Sequence, residues 1–240
     1  MEKIHRFFSK ESTSGIILSL PFIIGFLMFL IVPMLMSFYY SLCDYDILSP
    51  PNFVGFKNYI TMFTNDDTFW RSMKATLYFA LVSVPMRLVF ALLVALILYR
   101  TTKMTKFYRA AYYLPSIIGG SVAVSILWKR MFAVDGVINH LLGMIGIETS
   151  FAWLGNKSTA IWTLIILAVW QFGSSMLIFL SALKQIPSTL YEAASVDGAN
   201  GMKRFFSITL PMITPTIFFN LVMQMIGGFL AFTQSLIITD

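Results

Sequence analysis

The chain has 240 residues, 58% of them hydrophobic and only 12% charged, with a net charge of +6. A soluble domain carries about twice that charged fraction, so a water-soluble globule is excluded and the excess apolar surface must face lipid. A single cysteine, Cys43, excludes a disulfide framework and a cysteine-rich metal site.

Charge-free stretches mark the predicted membrane spans. The first follows Lys3, Arg6 and Lys10 and gives a span at about 14–42. It is longer than the apolar core of a signal peptide and lacks a small-residue cleavage site, so it reads as an uncleaved anchor. Cys43 is expected to be a buried thiol near the end of that helix. A turn at Pro50-Pro51-Asn52 then leads into residues 53–59, an aromatic interfacial segment. The second span, 75–99, has Arg87 at its centre. The guanidinium costs roughly 2.5–3.5 kcal/mol there, while each Leu, Ile, Val or Phe of the run returns roughly 0.3–0.6 kcal/mol, so the sum favours insertion. A third span is expected at 110–128. Val137, Ile138, Leu141 and Leu142 then fall at helical spacing and predict a short amphipathic surface helix. The remaining spans are expected at 158–183 and 212–239, joined by a polar loop, 184–211. About 20 apolar residues are needed to cross a bilayer, and the five runs together predict an all-α membrane protein, a multi-span helical bundle forming a single domain over 1–240.

Basic residues set the orientation. Lys3, Arg6, Lys10, Arg100, Lys103, Lys106, Arg109, Lys184, Lys203 and Arg204 crowd one side. The other side has Lys57, Arg71, Lys74, Lys129, Arg130 and Lys157, balanced by acids. The N-terminus is therefore expected in the cytoplasm. The chain stops directly after an apolar run, and a further span is expected to follow.

Catalytic constellations are missing. His5 and His140 fall on opposite sides of the predicted membrane, and residues 198–203 are glycine-rich without the spacing of a phosphate-binding loop. Uphill transport would draw its energy from a partner or an ion gradient. Because the five predicted spans contain no acidic residue, an ion-coupled secondary transporter and an intramembrane enzyme are both disfavoured.

Three features are candidates for a solute pathway. Thr216, Asn220, Gln224, Gly227, Ala231 and Gln234 form a stripe of small and polar residues along the fifth predicted span. Amides are costly in hydrocarbon without partners, so this face points at protein or water. It either packs against another helix or walls a pathway where amides bond to a solute's hydroxyls. On the fourth span Trp170, Gln171, Ser174 and Ser175 offer a ring face and hydroxyls, unless Trp170 is only packing. Arg87, with no acid in any span, needs a backbone carbonyl, a hydrated cavity, a snorkelling route or a partner chain.

The loop 184–211 is the most informative segment. Pro187 and Ser188 start a helix, Thr189 and Glu192 fit a capping box, and Asp197-Gly198 is a turn signal where a positive φ is plausible. A second short helix is expected next, carrying Met202, Phe205, Phe206 and Leu210 on one face, with Pro211 marking entry to the fifth span. Lipid headgroups or a partner protein would cover such a pair. At this point Glu192-Ala193-Ala194, then Gly198, then Ile208-Thr209-Leu210-Pro211 resembles the EAA signature of ABC importer permeases without departure in spacing. Gly55-Phe56-Lys57-Asn58-Tyr59, Leu114-Pro115, Trp128, Gly136 with Asn139, Trp153-Leu154-Gly155 and Asp197-Gly198-Ala199 are similar to the sugar-transporting branch of that family.

The resemblance implies a permease subunit of an ATP-driven importer for a sugar or oligosaccharide, with no cofactor in this chain and no nucleic-acid partner. Its implied partners are a second, related permease subunit, two cytoplasmic ATPase subunits that bind ATP and Mg, and an extracellular solute-binding protein. It assigns Glu192, Ala193, Ala194, Asp197, Gly198, Ile208, Leu210 and Pro211 to an ATPase-docking loop, and it implies a sixth span after Asp240. The same loop also fits a permease for another solute, such as a glycerol phosphate or a peptide.

Overall fold

The computed structural model describes residues 11–46, 48–99, 104–147 and 151–239, which form two compact units, Met1–Arg71 and Ser72–Asp240. Of the predicted basic clusters, Lys3, Arg6, Lys10, Arg100 and Lys103 lie outside the described residues, as does His5.

In the first unit, α1 (Glu11–Phe26) runs through a five-residue π turn (Leu27–Ile31) into α2 (Val32–Ser41). Proline causes the π turn. Pro33 has no N–H to donate, and the helix takes up the defect by bonding Val32 N–H to the Leu27 carbonyl, five residues back. A two-residue ladder, β1 (Cys43–Asp44) with β2 (Asn52–Phe53), closes the Pro50-Pro51 turn. Asn58, on α3 (Lys57–Thr64), donates to the carbonyls of Ser41 (3.1 Å) and Cys43 (2.8 Å), and the Ser41 and Tyr59 hydroxyls meet at 2.7 Å. Cys43 is buried beside the end of α2, as its sequence position predicted.

Helix α4 (Asp67–Tyr99) leads into the second unit. There follow α5 (Thr105–Ile118), α6 (Val122–Met131), α7 (Val137–Met144), α8 (Lys157–Trp170), α9 (Gly173–Lys184), α10 (Ser188–Val196), α11 (Gly201–Arg204), a π turn (Phe205–Thr209), α12 (Leu210–Phe229) and α13 (Thr233–Thr239). Among the described residues three helices are long and apolar enough to cross a membrane: Gly15–Ser41, Asp67–Tyr99 and Gly201–Phe229. There are up to five crossings if each of two bent pairs is one span.

The core lies among α4, α9 and α12. Val84, Leu88, Ala91, Ala95 and Leu98 recur at three- and four-residue steps on one face of α4. They meet Met176, Phe179, Leu180 and Leu183 of α9 and Ile213 of α12. Ala91 and Ala95 are wholly buried, and small residues at these steps let helices approach closely. At Gly173 the backbone of α5 comes closer still: a Cβ there would run into the Tyr112 carbonyl.

The helices within three of the expected spans are bent or broken. The span expected at 110–128 is not one helix, because α5 and α6 meet at 97°. Gly119, Gly120 and Ser121 make the break, and Ser121 caps α6 by accepting the Val124 amide at 3.3 Å. The one expected at 158–183 bends by 41° between α8 and α9. The run expected at 212–239 as a single helix stops at Phe229 and resumes as α13 after Leu230–Phe232, and α13 packs on α6 and α8. The second short helix of loop 184–211 is likewise no separate element, since Gly201–Phe229 is continuous. Pro211 therefore sits inside that helix rather than at its entrance. It produces a π turn as Pro33 does, with Leu210 N–H reaching back to the Phe205 carbonyl.

Candidate functional site

Two groups of predicted residues take up separate places in the second unit. The first surrounds a cavity of about 270 Å³ lined by residues of α4, α8 and α12, the Leu230–Phe232 break and the start of α13. Arg87 reaches it from mid-α4. Its Nε donates to the Ala168 carbonyl in the last turn of α8, and Nη1 donates to Gln224 Oε1 on α12. The Gln224 amide nitrogen continues the chain to Ser175 Oγ at 2.9 Å, where Ser175 is fully buried. One side chain thus ties α4 to α8, and through Gln224 to α12 and α9. Of the pathways open to Arg87 on sequence grounds, it takes two together, a backbone carbonyl and a cavity.

Gln171, Gln224, Gly227, Ala231 and Gln234 also line the cavity, so the lower part of the predicted stripe and one residue of the fourth-span group converge there. Asn220 does not. It is buried, and its amide donates to the Thr216 carbonyl of its own helix at 3.1 Å. Trp170 is also not among the lining residues. Its ring lies 5.9 Å from that of Trp128, in an aromatic group with Phe132 and Trp153, so it packs.

Two side chains from neighbouring helices bond backbone groups at the bend between α8 and α9. Ser116 Oγ donates to the Gln171 carbonyl at 2.9 Å and accepts the Ser174 amide at 3.0 Å. Arg87 Nε shares the Ala168 carbonyl with the Gln171 N–H, which donates to it at 3.3 Å. At the other break Gln234 donates to the carbonyl of Gly119 at 2.5 Å. The roles of Ser116 and Gln234 depend on partners distant in sequence. The only local hint was the pair of breakers Gly119-Gly120 and Gly227-Gly228.

The second group is the loop 184–211. Helix α10 starts at Ser188 behind Pro187, and no side chain caps it. The expected Thr189–Glu192 capping box is therefore not formed: the helix begins before Thr189, and Glu192 and Ala193 are exposed, with Ala194 half-buried. Its other end matches expectation. Gly198 has φ +70°, Ala199 N–H bonds the Ala194 carbonyl at 2.9 Å and Gly198 N–H the Ser195 carbonyl at 3.2 Å. This pair of bonds is a Schellman stop. Asn200 then caps α11, accepting the Lys203 amide at 2.8 Å.

Two bonds hold α10 to the base of the long helix. The Tyr191 and Thr209 hydroxyls meet at 2.8 Å, and Arg204 Nη1 donates to Ser195 Oγ at 3.0 Å. Tyr191 and Ile208 pack on the core, and Leu210 is half-buried while Pro211 is exposed. The outer face keeps Leu190, Val196, Met202 and Phe206 exposed, Val196 at 89%. Among the described residues no cluster of His, Cys, Asp or Glu is arranged to hold a metal ion.

Residues 67–240 match the family model of the binding-protein-dependent transport system inner membrane component. The chain is 53% identical over 237 residues to the "Probable ABC transporter permease protein YesP" of Bacillus subtilis (strain 168), covering 99% of this chain and 77% of that protein. It is 30% identical to the arabinooligosaccharides transport system permease protein AraP of the same organism, over 97% of this chain and 74% of that one. Among solved structures, a bacterial alginate ABC transporter in complex with an alginate pentasaccharide-bound periplasmic protein superposes with a TM-score of 0.73. Identity there is 30%, over 85% of this chain and 68% of that chain. The chain belongs to the binding-protein-dependent transport system inner membrane component family. It is an ABC transporter permease subunit, a membrane transport component rather than an enzyme.

Proposed function

We propose that this chain passes a sugar or short oligosaccharide across the cytoplasmic membrane, receiving it from an extracellular binding protein. In this reading residues 1–240 act as one permease domain, paired with a second, related permease subunit and served by two cytoplasmic ATPase subunits that bind ATP and Mg. The N-terminus and the loop 184–211 face the cytoplasm, in keeping with the basic residues clustered on that side of the sequence.

The observation that carries the reading is the connection between the two candidate sites. Helix α10, with Glu192 and Ala193 exposed, is tied at Tyr191 and Ser195 to a helix that continues without a break to Gln224 at the cavity. ATPase subunits docking on α10, around Glu192, Ala193, Ala194, Asp197 and Gly198, would move a rigid element. Ile208, Leu210 and Pro211 belong to its base. Arg87, Gln171 and Gln224 line the passage, Asn220 and Trp170 support it from behind, and the amides supply partners for sugar hydroxyls.

The test is reconstitution of the complete importer in liposomes loaded with ATP, followed by uptake of labelled oligosaccharides. Glu192→Lys is expected to weaken ATPase association or to uncouple hydrolysis from uptake. Intact coupling in that variant would refute the docking role of α10. Wild-type importer with active ATPases that takes up no oligosaccharide would refute the sugar reading.

A further inference from the structure

Arg87 is a cation with no counterion among the described residues. The predicted spans contain no Asp or Glu, and the one ion pair among the described residues, Arg71 with Asp67, is exposed at 3.9 Å. Both partners of the Arg87 guanidinium are neutral, the Ala168 carbonyl and the Gln224 side chain. The C-terminal end of α8 contributes roughly −0.5 of a charge at Ala168, which leaves roughly half a unit of positive charge beside the cavity. A charge away from water is tolerated when it is paired or hydrogen-bonded, and here the hydrogen bonds are made while the pairing is not. The lining residues Gln171 and Gln234 donate their amide nitrogens to backbone carbonyls, of Leu167 and Gly119, so what they can offer a solute is their amide oxygens, as acceptors. Acceptors suit sugar hydroxyls, and a guanidinium suits a carboxylate.

We infer that the transported solute carries a carboxylate, as a uronic acid or a short oligosaccharide containing one, and that Arg87 is its counterion during passage. The inference rests on the cavity being part of the solute path. One cation, with two of its nitrogens already engaged, matches a carboxylate monoanion. A phosphate dianion would bring more charge than Arg87, the one cation among the described lining residues, can balance.

The experiment uses the reconstituted importer and matched probes: uronate-containing disaccharides, the same sugars with the carboxyl reduced to an alcohol, and glycerol phosphate. Uptake of each is measured for wild type, Arg87→Gln and Arg87→Lys. The ratio of acidic to neutral uptake is compared between variants that share one binding protein, so that protein's own preference cancels. Wild type is expected to favour the acidic sugar. In Arg87→Gln the ratio is expected to fall by about tenfold, the effect of losing one charge-assisted hydrogen bond, and in Arg87→Lys to stay closer to wild type. A wild type that prefers the reduced sugars or glycerol phosphate overturns the inference whatever the variants do. An unchanged ratio in a well-assembled Arg87→Gln importer overturns it as well. Those outcomes leave sugar transport standing, whereas failure to import any saccharide removes the sugar reading itself.

Discussion

Gly198 offers the sharpest test of how α10 ends and what it meets. Its φ of +70° costs a residue with a side chain roughly 1–2 kcal/mol. The space around it is empty, with no atom within 4 Å of an added Cβ. In the isolated permease the penalty is therefore one of backbone conformation alone and should not grow with side-chain size. Gly198→Ala and Gly198→Leu should raise the local opening of α10 by a similar factor, about 5–30, and Gly198→Asn by less, because Asn tolerates the left-handed region. Amide hydrogen exchange of residues 193–199 reads this directly. In the assembled importer the three variants should separate: if α10 sits in an ATPase groove, Leu now meets protein and should impair ATPase co-purification and substrate-stimulated hydrolysis well beyond Ala. Equal ATPase coupling for Ala and Leu would refute docking at this corner. Near-wild-type exchange in both would refute the Schellman stop.

Further expectations follow from the other contacts. Arg204→Ala and Tyr191→Phe each remove one bond between α10 and the long helix, about 0.5–1.5 kcal/mol, and the double variant should lower uptake per ATP hydrolysed while ATPase binding stays intact. Unchanged stoichiometry would show that the two bonds transmit nothing. Gln224→Leu leaves the guanidinium of Arg87 short of its acceptor and should cut uptake several-fold at normal assembly, whereas Asn220→Leu, away from the cavity, should stay near wild type; equal effects would return the stripe to simple packing. Gly173→Val drives a side chain into the Tyr112 carbonyl and should destabilise the α5–α9 contact by about 1–3 kcal/mol, measured as loss of assembled complex on mild heating. Purified permease alone should not bind ATP, which equilibrium dialysis with labelled nucleotide would check.

Much of this was readable in the sequence because it is local. Charge-free length located the long apolar helices, and Asp197-Gly198 announced a positive φ that the backbone adopts. Val137, Ile138, Leu141 and Leu142 announced α7 from their spacing alone. Errors arose where hydropathy hid geometry. Residues 110–128 are apolar throughout, yet Gly119-Gly120-Ser121 turns the chain by 97°, because glycines cost nothing in hydropathy and much in helix propensity. The capping box is not formed because Pro187 takes the N-cap position, two residues before Thr189, which therefore lies inside the helix. Pro211 reads as a boundary in the sequence, yet a single π turn absorbs it within the helix. At the cavity, Arg87 and Gln224 stood out as polar groups in apolar runs, but their pairing, and the service of Ser116 to the α8–α9 bend, join residues 55 to 137 positions apart. No local pattern encodes that.

The unbroken run from Gly201 to Phe229 makes a lever of the helix that carries Gln224. Gln224 follows Arg204 by 20 residue steps, about 30 Å at about 1.5 Å per residue, so a tilt of roughly 10° about the loop end sweeps the amide by about 5 Å. That sweep exceeds the reach of any hydrogen bond. A small rotation at the base would therefore take Gln224 from Arg87 outright instead of stretching the contact. The guanidinium would hold its grip at one setting of the lever and lose it at the next.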